Sequence, residues 1–178
     1  MDNYKVVNIE GKSIHELDKY VVEISKLRRM IWLGTYVNEE LGITKDKITE
    51  NFREFDEEVR KYREYIYDIK NFSSFFIVLD NDKLVGYSIV KHRYHRKSID
   101  TLYIDNNHQG NGLGSILMNR MIDKLGPSKI YVDVVSYNKK AMCFYEKYGF
   151  SYSKKHRPIV LERINPKIYV PQIRMIRI

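Results

Sequence analysis

A glycine-rich segment in the second half of the chain stands between a strand pattern and a helix pattern. It reads Gln109-Gly110-Asn111-Gly112-Leu113-Gly114 and follows the apolar, β-branched run Ile99–Ile104. Glycines let the backbone approach a ligand closely because they have no Cβ, and the first turn of a helix has N–H groups without intrahelical partners. Since the helix dipole also makes that end positive, the segment predicts a site for a phosphate or pyrophosphate. The simpler alternative is a turn that only joins a strand to a helix.

The spacing of the glycines excludes two familiar phosphate-binding loops. A P-loop needs Lys after its last glycine, and here Ser115 follows Gly114. A dinucleotide-binding fingerprint reads G-x-G-x-x-G, whereas this segment reads G-x-G-x-G.

A second strand-to-helix segment lies further along the chain. The run Ile130–Ser136 is apolar and β-branched, as a strand should be, and Asn138 follows it as a candidate helix N-cap. Gly149 stands where the helix would end, at a position that favours positive φ. From Asn138 onward the residues read N-x-x-A-x-x-F-Y-x-x-x-G-F, with Tyr145 at the Y.

The two segments together resemble the GNAT superfamily of N-acetyltransferases. Gln109, Gly112 and Gly114 fill the acetyl-CoA signature Q/R-x-x-G-x-G/A, and the second segment fills every fixed position of the other half-site. The strand ending upstream, Leu102-Tyr103-Ile104, matches the family's L-x-V. One departure is Asn106, which stands where many members have Pro.

The resemblance implies a fold and an activity. The expected fold is a mixed α/β, twisted and mostly antiparallel sheet with one splayed parallel strand pair and helices on both faces. The expected activity is transfer of the acetyl group of acetyl-CoA to a primary amine by direct attack in a ternary complex, with coenzyme A as product. The expected cofactor contacts come from the end of the first strand, the glycine-rich segment and the second half-site: Leu102, Tyr103, Ile104, Gln109, Gly110, Asn111, Gly112, Leu113, Gly114, Ser115, Asn138 and Tyr145.

Two residues are candidates for the proton transfers that acyl transfer to an amine requires. Tyr145 stands where the family usually has the acid that protonates the sulfur of coenzyme A, and its alternative role is a core aromatic. Some members of the family have a Glu base six residues before the position of Ile104, but here that position is Ser98, so the base is not carried over. Asp100 is the candidate base in its place, because alternation along a strand puts it on the same face as that position. A surface carboxylate at Asp100, Asp133 as the base, or removal of the proton by water are the alternatives.

The acceptor side is predicted around Trp32, Tyr36 and Glu39, in a segment that resembles small-amine acetyltransferases of the polyamine type. Trp32 and Tyr36 are also spaced as core aromatics on one helix face. The first choice of acceptor is a small-molecule amine such as a polyamine. A protein N-terminal or lysine acetyltransferase and a non-catalytic acetyl-CoA-binding module stay open as alternatives.

The remaining elements can be predicted from caps and periodicity. Ser13 and Glu16 have the spacing of a capping box that opens a helix reaching Trp32. Apolar periodicity predicts one long helix from Asp46 to Lys70. Strands are predicted at residues 4–9, 75–79, 84–91 and 150–155 and at Tyr169–Ile178, with a loop or short hairpin before the last strand.

Composition narrows the class of protein. The 178 residues suit one domain spanning 1–178, and 43% hydrophobic with 30% charged residues is an ordinary globular balance. With one Cys and no apolar run long enough for a membrane span, a cytoplasmic protein is expected. The net charge is +8, but no run of Lys and Arg marks a nucleic-acid site, and no metal-ligand spacing occurs. A homodimer that pairs the Tyr169–Ile178 strand is left open.

Overall fold

The computed structural model describes residues 4–10, 12–52, 57, 59–60, 62–64, 73–93, 96–152, 159–165 and 168–178. The elements in chain order are β1 (Tyr4–Asn8), α1 (Ile14–Thr35), α2 (Lys45–Asn51), β2 (Ser73–Asp80), β3 (Lys83–Arg93), β4 (Arg96–Ile104), α3 (Leu113–Leu125), β5 (Ile130–Val135), α4 (Lys139–Lys147), β6 (Ser151–Tyr152), β7 (Ile159–Asn165) and β8 (Ile168–Arg177). Short 3-10 helices occupy Glu39–Leu41 and Asn106–His108.

The eight strands form one sheet in the order β1-β2-β3-β4-β5-β8-β6, with β7 paired to β8. Every pairing is antiparallel except that of β4 with β5. The parallel ladder is short, because only residues Lys97–Ile99 pair with Ile130–Val132. The predicted mixed fold with one splayed parallel pair is therefore confirmed.

Helices cover both faces of this sheet. The apolar stripe of α1 packs on one face, against side chains such as Ile77, Tyr87 and Ile89. The apolar stripe of α3 packs on the other face, against side chains such as Val78 and Val90. The β-strands between the two helices are consequently buried on both sides, as their near-continuous apolar sequences require.

Several local predictions are confirmed at atomic detail. Glu16 N–H donates to Ser13 Oγ at 3.3 Å, and Ser13 N–H donates to Glu16 Oε2 at 2.9 Å, which completes the capping box at the start of α1. Asn81 and Asp82 have φ of 47° and 66° in the two-residue turn between β2 and β3. Positive φ at both positions is the turn geometry that fits the twist of a hairpin.

The prediction of one continuous helix from Asp46 to Lys70 is wrong, because the helix is interrupted at Phe52. Helix α2 ends at Asn51, and Phe52 leaves helical geometry with φ −109° and ψ 16°. The Phe52 ring is buried and meets the Trp32 ring edge to face at 5.5 Å, so tertiary packing outweighs the local periodicity. Of the remaining predicted range the described residues 57, 59–60 and 62–64 are helical.

The C-terminal part contains more strand than expected. Residues 159–165, where a loop or short hairpin is predicted, form β7, which pairs along β8. The strand predicted at 150–155 is described only as β6, and residues 153–155 lie outside the described part of the chain.

Candidate active site

The cleft of the molecule opens where β4 and β5 separate. Beyond Ile99 and Val132 the two strands no longer pair, so residues 100–104 of β4 have no ladder partner on the β5 side. The cleft has a volume of about 1440 Å³ and receives side chains or backbone from α1, β4, the glycine-rich segment, β5 and α4. Backbone N–H and C=O groups at a strand edge can accept an extended ligand as an added strand does.

The glycine-rich segment forms one end of this cleft. Gly110 and Gly112 have φ of 86° and 76°, and a Cβ at either position would meet nothing within 4 Å. Gly112 is the N-cap of α3 and supplies no side-chain hydrogen bond to the helix. The first N–H groups of α3 therefore keep their donors for a ligand, and the segment fits a pyrophosphate.

The second half-site lies across the cleft from the first. Asn138 Oδ1 accepts a hydrogen bond from Ala141 N–H at 3.0 Å, which confirms it as the N-cap of α4. A Cβ on Gly114 would lie 3.5 Å from the Phe144 ring, so the glycine brings α3 and α4 close together. Both half-sites are thus parts of one continuous cleft lining.

Tyr145 lines the cleft from α4, and only 7% of its surface is exposed. Desolvation by burial, with a smaller contribution from Tyr103, raises the pKa of Tyr145 well above its ordinary value. The phenol consequently keeps its proton through the neutral and mildly alkaline range, as a proton donor must.

The β3–β4 pairing next to the cleft is unusually close. A Cβ on Gly86 would lie 2.6 Å from Ile104 Cδ1 and 3.0 Å from the Tyr103 carbonyl oxygen. Gly86 pairs with Ile104 in the register, so its lack of a side chain sets how closely the end of β4 approaches β3.

Asp100 lies at the cleft, but not for the reason that alternation suggests. The register shifts between Ile89 and Val90: Ile89 pairs with Thr101 and Val90 with Ile99, so Asp100 is the extra residue of a β-bulge. Ile99 and Ile104 both pack in the core beneath α3, although strict alternation puts them on opposite faces. Strict alternation therefore does not hold through Asp100 and cannot by itself assign the face of its side chain. Its carboxylate lies 2.6 Å from Lys91 Nζ.

Asp133, the other carboxylate among the described cleft residues, belongs to a charged cluster on the floor of the cleft. Arg174 donates to it through Nε at 2.7 Å and through Nη2 at 2.8 Å. Arg96 lies 4.0 Å from the same carboxylate. This bidentate geometry holds Asp133 to β8 and leaves it poorly placed to accept a proton from a substrate.

Three aromatic side chains form one wall of the cleft, which we call the aromatic wall: Trp32, Tyr36 and Tyr103. Trp32 Nε1 donates to the Tyr103 hydroxyl at 2.9 Å, and the Tyr36 and Tyr103 hydroxyls are 3.1 Å apart. The Trp32 and Tyr36 rings are 4.7 Å apart at 33°. Trp32 and Tyr36 lie in the cleft lining as expected, although both are mostly buried.

Sequence reasoning missed the side chain of Tyr103, which it assigned only a backbone role. The available signal is alternation, since Ile104 points into the core under α3 and its neighbour Tyr103 must point to the α1 side. Tyr137, also missed, donates from its hydroxyl to the Tyr36 carbonyl oxygen at 2.7 Å. Glu39 is exposed on its 3-10 helix and is not among the residues that line the cleft, so the structure does not bring it to the site.

This fold and cleft define an acetyl-CoA-dependent N-acetyltransferase. Residues 42–150 match the model of the Acetyltransferase (GNAT) family, and the chain belongs to that family. Acetyl-CoA is accordingly its cosubstrate. Among the described residues, no helix is both long and apolar enough to cross a membrane.

Two curated relatives are similar over more than half of the chain. N-alpha-acetyltransferase 30 of Schizosaccharomyces pombe is 31% identical over 102 residues, which is 53% of this chain and 67% of that protein. Spermidine N(1)-acetyltransferase of Vibrio cholerae is 35% identical over 108 residues, which is 57% of this chain and 61% of that protein. The chain thus spans about two thirds of the first relative's length and less than two thirds of the second's.

A solved structure extends the similarity of fold to nearly the whole chain. The PaiA N-acetyltransferase of Thermoplasma acidophilum, crystallised in complex with coenzyme A, superposes with a TM-score of 0.62. The superposition covers 97% of this chain and 98% of that one at 17% identity. At that identity the likeness supports the fold and no finer property.

Proposed function

We propose that this chain acetylates a primary amine of a small molecule, with a polyamine as the first choice, by direct attack in a ternary complex. One observation carries the proposal: the gap between β4 and β5 joins the glycine-rich segment to the aromatic wall in a single cleft. A cosubstrate held at one end and an amine held at the other would meet at the end of β4. Direct transfer needs such proximity, because it removes the entropy cost of bringing two reactants together.

The chain's own residues have separable roles toward acetyl-CoA, which supplies an acetyl group activated as a thioester. The N–H groups at Gly110–Ser115 hold the pyrophosphate, and Asn138 faces the same molecule from α4. The unpaired edge at Leu102–Ile104 offers backbone groups to an extended pantetheine arm. The Ile104 N–H is the candidate donor to the carbonyl oxygen under attack.

Tyr145 is the proposed acid for the leaving thiolate. Burial keeps the phenol protonated at neutral pH, so its O–H is available to donate to the thiolate as the C–S bond breaks. Asp100 is the proposed acceptor of the amine's proton. Since it lies four residues before Ile104, about 13 Å along an extended strand, we propose that the proton reaches it through water.

Two features support a polyamine as the acceptor. The Vibrio cholerae relative is by name a spermidine acetyltransferase, and aromatic faces like those of the aromatic wall attract ammonium groups. The carboxylates of Asp100 and Asp133 lie in the same cleft. Each already binds a basic side chain, so the distal ammonium of a polyamine competes with Lys91 or Arg174.

A peptide N-terminus is the second candidate acceptor. The Schizosaccharomyces pombe relative is by name an N-alpha-acetyltransferase. The hydroxyls of Tyr36, Tyr103 and Tyr137 suit a peptide's amide groups better than they suit a polycation. Asp100 and Asp133 already bind basic side chains, which favours a peptide N-terminus over a polyamine as the acceptor. The higher sequence identity of the Vibrio cholerae relative favours a polyamine.

The test measures release of coenzyme A thiol from acetyl-CoA with spermidine, spermine, aminoglycosides, amino acids and short peptides as acceptors. We expect turnover with a polyamine and at least about tenfold lower kcat/KM with peptides. A preference for peptides would change the proposed acceptor from a polyamine to a peptide N-terminus, and the proposed acetyl transfer would still stand. Silence across the panel, with acetyl-CoA still raising the melting temperature, would keep the cofactor site and remove the proposed acceptor. Any activity that is found but left unchanged by Tyr145→Phe would favour a non-catalytic acetyl-CoA-binding module.

A further inference from the structure

A lysine side chain on α4 is hydrogen-bonded to Gln109, the first residue of the glycine-rich segment. Lys140 Nζ donates a hydrogen bond to Gln109 Oε1 at 2.6 Å. Gln109 Nε2 in turn donates to the Ile104 carbonyl oxygen at 3.1 Å and to Asn106 Oδ1 at 2.9 Å. Both the nitrogen and the oxygen of the Gln109 side-chain amide are thus hydrogen-bonded within the protein, and the oxygen holds the Lys140 ammonium group at the cleft.

The charge around this lysine is unbalanced in the described part of the chain. Lys139 and Lys140 occupy the first turn of α4, which contains no acidic residue. A cation at a helix N-terminus opposes the helix dipole and costs stability unless an anion is present. Lys140 forms no ion pair with any described carboxylate, and the two carboxylates of the cleft, Asp100 and Asp133, are bound to other bases.

The N-terminus of α3 adds a second positive end to the same place. Its N-cap, Gly112, supplies no side-chain acceptor. Lys140 and the first residues of α3 line the same cleft as the glycine-rich segment. A polyanion bound at this segment would be close to the N-terminus of α3 and to the ammonium group that Gln109 holds.

We propose that Lys140 is a ligand of the pyrophosphate of coenzyme A and that Gln109 is the positioning residue that holds it there. The inference rests on the proposed cofactor site. It reassigns Gln109, whose side chain supports the charged ligand and does not itself contact the phosphates. The lysine bridges the two half-sites, since it lies on α4 and reaches the segment that opens α3.

The test is a calorimetric measurement of binding to coenzyme A, 3′-dephospho-coenzyme A and pantetheine. Lys140→Met is expected to raise the Kd of the first two by about fivefold and to leave that of pantetheine unchanged, because pantetheine has no phosphate. Lys147→Met is the matched control, since it removes the same charge from the same helix outside the cleft lining. We expect its Kd values to equal those of the unmodified chain.

Three outcomes would overturn the assignment. Unchanged affinity for coenzyme A in Lys140→Met would remove Lys140 from the site. A loss limited to coenzyme A, absent with the dephospho form, would place the contact at the 3′-phosphate. An equal loss with pantetheine would mean that the substitution perturbs the fold of the cleft. If the unmodified chain fails to bind coenzyme A at all, the proposed function fails instead.

Gln109 is tested through its dependence on Lys140. Gln109→Ala is expected to raise the Kd for coenzyme A, and the double variant with Lys140→Met should be no weaker than Lys140→Met alone. Lys140→Arg, which keeps the charge, should restore most of the affinity. The difference between the unmodified chain and Lys140→Met should shrink in 1 M salt, because screening weakens an exposed ionic contact. Full additivity of the two substitutions would show that Gln109 does not act through Lys140.

Discussion

The hydroxyl of Tyr137 donates a 2.7 Å hydrogen bond to the carbonyl oxygen of Tyr36. Tyr36 ends α1 and contributes to the aromatic wall, while Tyr137 precedes Asn138, the N-cap of α4. This single bond therefore links the aromatic wall to the proposed second cofactor half-site, and it spans 101 positions of the sequence.

Tyr137→Phe should loosen this link. Burial raises the pKa of Tyr137, so the hydroxyl remains a donor throughout the working pH range. We expect the free energy of unfolding to fall by about 1 kcal/mol and the KM of the amine to rise while the Kd of coenzyme A stays constant. Tyr152→Phe, which removes an exposed phenol outside the cleft lining, is the control. A variant with unchanged amine KM would show that the bond has no role in acceptor binding.

Tyr145→Phe should lower kcat by at least about 10²-fold with little change in the Kd of acetyl-CoA, because only proton transfer is lost. Tyr148→Phe, at the C-cap of the same helix and outside the cleft lining, serves as the control. Because the pKa of Tyr145 is raised, kcat of the unmodified chain should not decline between pH 8 and about 10 through loss of this proton. Steady-state rates across that range check both statements, and a phenylalanine variant with unchanged kcat would remove Tyr145 from the chemistry.

Stability should fall in strong alkali. Burial raises the folded-state pKa values of Tyr145 and Tyr87 above the value of about 10 that tyrosine has when unfolded. Below about pH 10 both states bind the phenolic protons equally. Above it the unfolded state loses protons that the folded state keeps, so the free energy of unfolding decreases as pH rises. Melting curves at pH 8 and 11 should show this decrease, and it should be smaller for Tyr145→Phe than for the unmodified chain.

Gly86→Ala should destabilise the chain by about 1–3 kcal/mol, because the new methyl group overlaps Ile104 Cδ1 and presses on the Tyr103 carbonyl. Combining it with Ile104→Val, which removes Cδ1, should recover part of the loss. Gly34→Ala is the matched control, since its Cβ would meet its nearest neighbour at 3.6 Å and alanine favours the helix. Denaturant unfolding measures all three, and an unchanged midpoint for Gly86→Ala would contradict the close approach.

Asp100→Asn tests the proposed route of the amine's proton. We expect kcat at pH 7 to fall by at least about tenfold, because asparagine accepts no proton. Lys91→Met removes the same ion pair and keeps the carboxylate, so it should retain most of the activity. If both variants lose activity equally, the contribution of Asp100 is the ion pair itself and water alone removes the proton.

Predictions that depend on neighbours in sequence are confirmed. The capping box joins Ser13 to Glu16, and the N-cap joins Asn138 to Ala141, so each needs only three residues of spacing. Gly112 has positive φ at the start of α3, as a glycine-rich entry to a helix favours. Such features follow from local backbone geometry and hydrogen-bond donors, which the residue types already contain.

Predictions that depend on a neighbouring strand or helix are less successful. Alternation is interrupted at Asp100 because a β-bulge is a property of the β3–β4 pair, and no single strand pattern reveals it. The helix starting near Asp46 stops at Phe52 because its ring packs on Trp32, twenty positions away in the sequence. The exposed position of Glu39 depends likewise on how the chain turns after α1.

The sequence by itself determined the class of fold and predicted the glycine-rich anion site and the residues of both cofactor half-sites, because the motifs that indicate each depend on short-range spacing. Only the tertiary structure decided where β4 and β5 part, which bases bind Asp100 and Asp133, and how Trp32, Tyr36 and Tyr103 meet. It also decided that Lys140 reaches Gln109 across 31 positions. These arrangements arise from contacts between distant segments, whose energies depend on packing that spacing along the chain does not encode.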